Sequence, residues 1–450
     1  MRDLLKDAAA RGIRYLEGLN ARSVIPTPEA LANLTELDGP LPEEPMDPAT
    51  VLALLDDFGS PATVATAGPR FFGFVVGGSL PATVAANWLA GAWDQSPYAY
   101  TDSPIAATLE EIALRWLLDI FGLPSIGGGA FVTGATMANF SSLAAARHSV
   151  LQNAGWDVEA DGLFGAPPIT VIVGEEAHPS LFKALGMLGL GRQRVVKVPV
   201  DDQGRMRSDA FPVISSPTIV CLQAGNVNTG AFDPAREIVP RAREAGAWVH
   251  VDGAFGLWAA AAPARAHLVE GFAGADSWAT DAHKWLNVPY DSGLAFVRDP
   301  APLQAAMSTS AAYLPAHSER RNPSQFTPES SHRGRGIEVW AALRSLGRSG
   351  LANLIERTCR YAQRFAEGLH AAGYPILNDV VLNQVLVSFG DEAKTRRVIE
   401  AIQRDGTCWC GPTVWQGHTA MRISVSSWAT TEADVERSLS TMIRIVGEQG

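Results

Sequence analysis

The sequence predicts an α/β protein: a large domain on a mainly parallel sheet, a smaller C-terminal α+β domain and an N-terminal arm. Two observations carry this. From about Thr108, helical repeats alternate with short β-branched runs closed by Gly, Pro, Asp or Asn, the pattern of strands that return in parallel through helices. After Gly336 the pattern changes to one long helical repeat followed by separate short strands. Size permits it, since 450 residues at 47% hydrophobic and 18% charged can bury a large core.

Residues 1–69 read as the arm. MRDLLKDAAARGIRYLEGL mixes charges into a helical repeat, and PLPEEPMDP is a Pro-rich connector, together suited to wrapping a partner subunit. Phe71 to Trp93 carries no charge over the length of a membrane span. Gly77, Gly78, Ser79, Pro81 and Asn87 within it make a buried turn and helix the expectation instead. Residues 70–300 are assigned to the large domain, with strands expected at 169–173, 195–198, 218–222, 248–251, 278–280 and 293–297. Ligand residues belong just after such strands. Residues 301–335 are assigned to a functional loop and linker, because STSAAYLPAHSERRNPSQFTPESS (308–331) is polar with little periodicity, a candidate lid. Residues 336–450 form the small domain: a long helix, strands at 384–389 and 421–425, and a terminal helix from Glu432.

A net charge of −11 leaves no excess of Lys and Arg to displace phosphate counterions, so neither nucleic acid nor an anionic membrane is an expected partner. Cys221, Cys359, Cys408 and Cys410 include only a C-W-C pair, without zinc spacing; they read as reduced thiols, and no metal is expected. The N-terminus lacks the apolar core of a signal peptide, so the cytoplasm is the expected location.

Three motifs carry chemistry. In Phe131-Val-Thr-Gly-Ala-Thr-Met-Ala-Asn139, small residues (Gly134, Ala135, Thr136) open a helix whose free N–H groups can hold a phosphate, although a capped helix start looks the same. In Trp248-Val-His-Val-Asp-Gly-Ala254 a strand ends in Asp252, able either to pair with a protonated ring nitrogen or to cap a helix. In Asp276-Ser-Trp-Ala-Thr-Asp-Ala-His-Lys-Trp285, one lysine follows a strand inside an apolar region; a desolvated amine there is a nucleophile toward an aldehyde. A phosphate turn, an acid and a lysine in this order are the contacts that pyridoxal 5′-phosphate requires.

On these residues the chain resembles the group II pyridoxal-phosphate-dependent amino acid decarboxylases, from PRFFGFVVGGSLPA through SPIAATLEEIALRWLLDIFGLP, HVDGAFG and DAHKW to MRISVSSWATTEADV. The resemblance implies the type I (aspartate-aminotransferase) fold and decarboxylation of an L-amino acid to an amine. It makes Lys284 the lysine that holds the cofactor as an imine and Asp252 the partner of the pyridine nitrogen. Ala135 and Thr136, with Gly134, become phosphate contacts, and His178 of EEAHPS the imidazole stacked on the ring. Asp281 and His283 fall beside the cofactor, just before Lys284. Asn226 stands where the family places a threonine beside the cofactor, or is simply a turn asparagine. Arg422 takes the position of an arginine on the substrate carboxylate, or makes an ordinary ion pair. The family's active site lies between two subunits, so a homodimer is implied.

Two positions depart from the family pattern. The loop usually carries a tyrosine that returns a proton to Cα, but residues 314–331 hold none, leaving Tyr313, His317 or a partner residue as substitutes. Asp281 replaces the asparagine common in aromatic amino acid decarboxylases, and D-x-H-K looks more like sphingosine phosphate lyase. A carbon–carbon (aldehyde-forming) lyase and an oxidative deaminase are therefore alternative activities. A cofactor-sensing regulator is the non-enzyme alternative, though no basic N-terminal DNA-binding unit is visible. Phe71, Phe72, Phe74 and Trp93 hint at an aromatic or apolar substrate pocket.

Overall fold

The structure, a computed structural model, describes residues 1–214, 217–309 and 320–449. Tyr313 and His317 lie outside the described residues.

Seven strands build the central sheet: β1 (Gly128–Val132), β2 (Thr170–Gly174), β3 (Val196–Val198), β4 (Thr218–Gln223), β5 (Trp248–Asp252), β6 (Ser277–Asp281) and β7 (Gly293–Val297). Their order is β1-β7-β6-β5-β4-β2-β3, parallel throughout except that β7 runs antiparallel to both of its neighbours. The expected strands are all present, within a residue at most ends. β1 was not expected, because GGAFV is too glycine-rich to read as a strand. Packing requires those glycines: a Cβ on Gly129 would lie 2.5 Å from the Ala295 carbonyl oxygen, and one on Gly128 2.7 Å from Pro300.

Side-chain alternation sorts the strands' two faces into two cores. On β5, Val249 and Val251 join a cluster with Leu257, Trp258 and Trp285, whereas Trp248 joins Leu143, Ala145 and Ala279 beneath the helix Ala135–Asn153. His250 and Asp252 share the parity of Trp248 and so face that helix. This parity determines which side chains can meet at the ends of the strands.

The small domain is a three-stranded antiparallel sheet of β8 (Gln384–Val387), β9 (Gly411–Trp415) and β10 (His418–Ser424), in the order β8-β10-β9. β9 is an edge strand, where Pro412 is tolerated; its Gly-Pro start hid it from the sequence pattern. Helices Glu392–Asp405 and Glu432–Glu448 flank this sheet. The long repeat after Gly336 forms helix Gly336–Ala371, interrupted at Gly347 (φ 59°, ψ −176°), so it is two helices meeting at a kink.

Phe71 and Phe72 connect the arm to this small sheet. The Phe72 N–H donates to the Trp409 carbonyl at 2.8 Å, and its carbonyl accepts from Ser424 N at 2.9 Å. The Phe72 ring is buried in the small-domain core against Phe365, so it lines no pocket. Arg70 fastens the same stretch by an ion pair with Asp434 at 3.0 Å. Earlier arm residues are less covered: positions 32–50 are all exposed in the single chain. The turn at 77–80 is largely buried, as expected, but helix Pro81–Trp93 leaves Trp88, Leu89 and Trp93 exposed.

The polar stretch is described at 308–309 and 320–331. Helix Pro300–Met307 precedes it, and residues from Arg321 onward are docked, with Asn322 accepting from Tyr100 N at 3.0 Å and the Arg321 guanidinium 3.8 Å from the Phe326 ring centroid. Among the described residues, no helix is long and apolar enough to cross a membrane.

Candidate active site

Strand ends bring the expected residues together. Asp252 ends β5, Asp281 ends β6, and the turn that follows carries His283 and Lys284. The Lys284 ammonium lies 2.9 Å from Asp281 Oδ2. The other Asp281 oxygen, Oδ1, accepts the Ala135 N–H at 2.6 Å and stands 3.6 Å from His283 Nε2. The carboxylate therefore sits at the N-terminus of helix Ala135–Asn153, where the helix dipole favours negative charge. Gly134, in extended backbone, leaves room there: a Cβ would come within 3.2 Å of His283 Cε1 and 3.5 Å of Asp281 Oδ1. Thr136 follows, half-buried, at the second helical position.

The lysine turn is held from outside the domain. The buried Asn287 amide donates to the Trp285 carbonyl at 2.9 Å and to the Ser426 carbonyl at 3.0 Å, while its oxygen accepts the Trp428 N–H at 2.8 Å. From the other side Gly77 presses on the Lys284 carbonyl so closely that a Cβ would lie 1.7 Å from it. These contacts set the direction of the Lys284 side chain and were not readable from motif spacing.

His178 caps helix Pro179–Met187: its Nδ1 accepts the Ser180 N–H at 3.2 Å, which leaves the hydrogen of the neutral ring on Nε2. Burial is the main influence on this ring and pushes its pKa down. Asp252 and Asp281 act the other way, and Lys284 and Arg422 reinforce the drop. All four charges thus lie within electrostatic reach of one imidazole. Burial likewise lowers the His283 pKa; its Nδ1 accepts the Ser292 N–H, and its ring lies tilted against Tyr290, centroids 4.5 Å apart.

Arg422 projects from β10 and donates to the Val227 carbonyl at 3.1 Å; burial depresses its pKa. Asn226 is the hub of a turn: its Oδ1 accepts from Asn228 N (2.8 Å) and Thr229 N (3.2 Å), and its Nδ2 donates to Gln223 Oε1 at 3.1 Å. One amide hydrogen remains for another acceptor. Asp252 takes the Ala254 N–H on Oδ1 (3.2 Å) and the Asn139 amide on Oδ2 (3.0 Å).

Sequence reasoning missed Asn139, His250 and Ser277 as site residues. Strand alternation carried the signal, because Trp248, His250 and Asp252 must share one face. Tyr290 and Gly77 had no comparable signal.

The donor set fits pyridoxal 5′-phosphate. A lysine amine, an ionisable acid with a free lone pair at a strand end, and a helix start lined by small residues converge on one neutral imidazole. Asp281 is the exception, since its carboxylate already holds the first N–H of that helix start.

Residues 33–389 match the pyridoxal-dependent decarboxylase conserved domain. Tryptophan decarboxylase 1 of Oryza sativa subsp. japonica is 27% identical over 402 residues, covering 80% of this chain and 77% of that protein. Aromatic-L-amino-acid decarboxylase of Bacillus atrophaeus is 26% identical over 377 residues, covering 81% and 76%. In structure the chain is similar to Oryza sativa TDC, solved with PLP and tryptamine, at a TM-score of 0.91 and 23% identity over 99% of this chain and 97% of that one.

Proposed function

The chain belongs to the pyridoxal-dependent decarboxylase family, PLP-dependent carboxy-lyases of amino acids, and from that premise we propose that its substrate is an aromatic L-amino acid. The observation that carries the site assignment is geometric: Lys284 lies 2.9 Å from Asp281, which holds the Ala135 N–H at the helix start, and His178 and Asp252 line one cavity. Pyridoxal 5′-phosphate, when bound, supplies the sink for the electron pair left on Cα as carbon dioxide departs.

The chain's own residues do the rest. The Lys284 amine is the nucleophile that would hold the cofactor and yield it to the substrate amine. The Asp252 carboxylate would accept from the pyridine N–H and keep that nitrogen charged. His178, neutral and oriented by Ser180, offers a flat face for the ring. Gly134, Ala135 and Thr136 would hold the phosphate at the helix start, where Asp281 and His283 also lie, and Asn226 would donate to the ring oxygen. Arg422, held by the Val227 carbonyl, keeps further N–H groups for the substrate carboxylate, which orients the bond that breaks.

An aromatic side chain is supported by the names of the two relatives and by a ring stack on the segment that ends against Lys284. Phe71 and Phe74 lie 5.0 and 5.2 Å from the Trp409 ring, and Phe74 is 63% exposed. A second copy of the chain is supported by the apolar residues left uncovered on one subunit: Leu31, Leu34, Leu37 and Leu41 on the arm, and Trp88 and Trp93. Four buried, unpaired thiols support a reducing compartment, the cytoplasm.

The purified protein is expected to turn yellow with pyridoxal 5′-phosphate and to keep the label after borohydride, and Lys284→Ala to do neither. Aromatic L-amino acids should release carbon dioxide, with Asp252→Ala slower by about 10²–10³-fold, and Phe74→Ala should raise KM more than it lowers kcat. Aldehyde without carbon dioxide, or ammonia with oxygen uptake, would overturn this reading in favour of a carbon–carbon lyase or an oxidative deaminase.

A further inference from the structure

Behind Asp252 lies a row of polar side chains that the proposed reaction does not use. The Trp248 indole N–H donates to Ser277 Oγ at 2.8 Å. Ser277 Oγ lies 2.9 Å from His250 Nδ1, His250 Nε2 lies 2.9 Å from Asn139 Oδ1, and Asn139 Nδ2 lies 3.0 Å from Asp252 Oδ2. The backbone explains the alignment: His250 and Ser277 are direct partners across β5 and β6, and Trp248, His250 and Asp252 share the strand face covered by the helix that carries Asn139. Asn139, His250 and Ser277 are all fully buried.

Chemistry gives this row one direction. A carboxylate can only accept, so the Asn139 NH₂ faces Asp252 and the Asn139 oxygen faces His250 Nε2, which then carries the ring hydrogen. His250 Nδ1 is left to accept the Ser277 hydroxyl hydrogen, while Ser277 accepts the indole N–H. Reversing the row would need a hydrogen on Asp252 and would turn the Ser277 hydroxyl away from His250. Burial pushes the His250 pKa down to about 3, so the ring stays neutral and its two nitrogens keep opposite roles.

We propose that Trp248, Ser277, His250 and Asn139 are positioning residues that end a one-way row of hydrogen bonds on Asp252 and so hold its carboxylate as an acceptor for the cofactor's ring nitrogen. This rests on the assignment of Asp252 made above. The hydrogen bond donated by Asn139 orients the carboxylate toward the ring nitrogen it would pair with. Asn139 fixes one oxygen, leaving the rest of the carboxylate to the cofactor.

The test uses holoenzyme carrying pyridoxal 5′-phosphate labelled with ¹⁵N in the ring, read by nitrogen NMR, together with the cofactor dissociation constant. Asp252→Asn marks the signal of an unprotonated ring nitrogen. Asn139→Leu is expected to move the signal toward that marker and to weaken cofactor binding about tenfold, the loss of one hydrogen bond to a charged group. Trp248→Phe, which removes the donor at the far end of the row, should move it the same way by less. Ser277→Ala tests the same row should Asn139→Leu fail to fold. A purely structural role would lower thermal stability and leave the nitrogen signal in place. Wild-type signals in Asn139→Leu and Ser277→Ala, with a shifted Asp252→Asn, would overturn the row and spare the Asp252 assignment. A wild-type signal in Asp252→Asn would overturn that assignment itself.

Discussion

Asp281 is the residue whose chemistry departs furthest from what a phosphate site asks for. Its carboxylate pairs with Lys284, holds the Ala135 N–H and occupies the positive end of a 19-residue helix. A phosphate dianion brought to that end meets a like charge, which disfavours both. Asparagine at this position would keep an oxygen for the Ala135 N–H and remove the charge. Asp281→Asn is therefore expected to bind pyridoxal 5′-phosphate several-fold more tightly, measured by titration of the absorbance. Equal or weaker binding would mean that the carboxylate contributes to capture rather than opposing it.

At the scale of elements, the site depends on segments far apart in sequence holding the turn after β6. The 77–80 turn meets it from one side and residues 426–428 from the other, through Asn287. Gly77 is essential to the first contact, because a single methyl there would overlap the Lys284 carbonyl. Gly77→Ala should destabilise the fold by about 1–3 kcal/mol, the usual cost of overpacking, and should loosen the cofactor. Unfolding temperature and cofactor titration would check both. By contrast Thr431 forms a capping box with Asp434 at the start of the last helix. Thr431→Ala should cost about 1 kcal/mol of stability with cofactor affinity unchanged.

The whole molecule buries a titratable carboxyl that should shape its response to pH. Glu110 is buried, neither of its carboxyl oxygens has a hydrogen-bond partner among the described residues, and burial raises its pKa from 4.5 to about 8 against the pull of Arg321 and Arg335. Because the folded value lies above the ordinary one, its contribution to stability is complete below about pH 4.5 and is lost as pH rises through about 8. Glu110→Gln has no such dependence. Its melting temperature should rise relative to the wild type between pH 5 and pH 8, at no more than about 1.4 kcal/mol per pH unit. A constant difference across that range would show that Glu110 keeps its charge state throughout.

The sequence by itself determined most of the strand and helix order, the family, and the candidates Lys284, Asp252 and His178, because hydrophobic period and short motifs are local properties of a chain. Alternation along WVHVD even implied that Trp248, His250 and Asp252 face one way. Only the tertiary structure decided what they face. The 111-residue separation of His250 from Asn139, the seating of Asp281 on the Ala135 N–H, and the pressure of Gly77 on Lys284 join parts of the chain that share no pattern. The same holds for β1, whose glycines look like loop until Ala295 and Pro300 are packed against them, and for Phe72, which reads as pocket but fills the small-domain core. Such contacts depend on which surfaces the folded chain brings within a few ångströms, and a one-dimensional pattern carries no record of that distance.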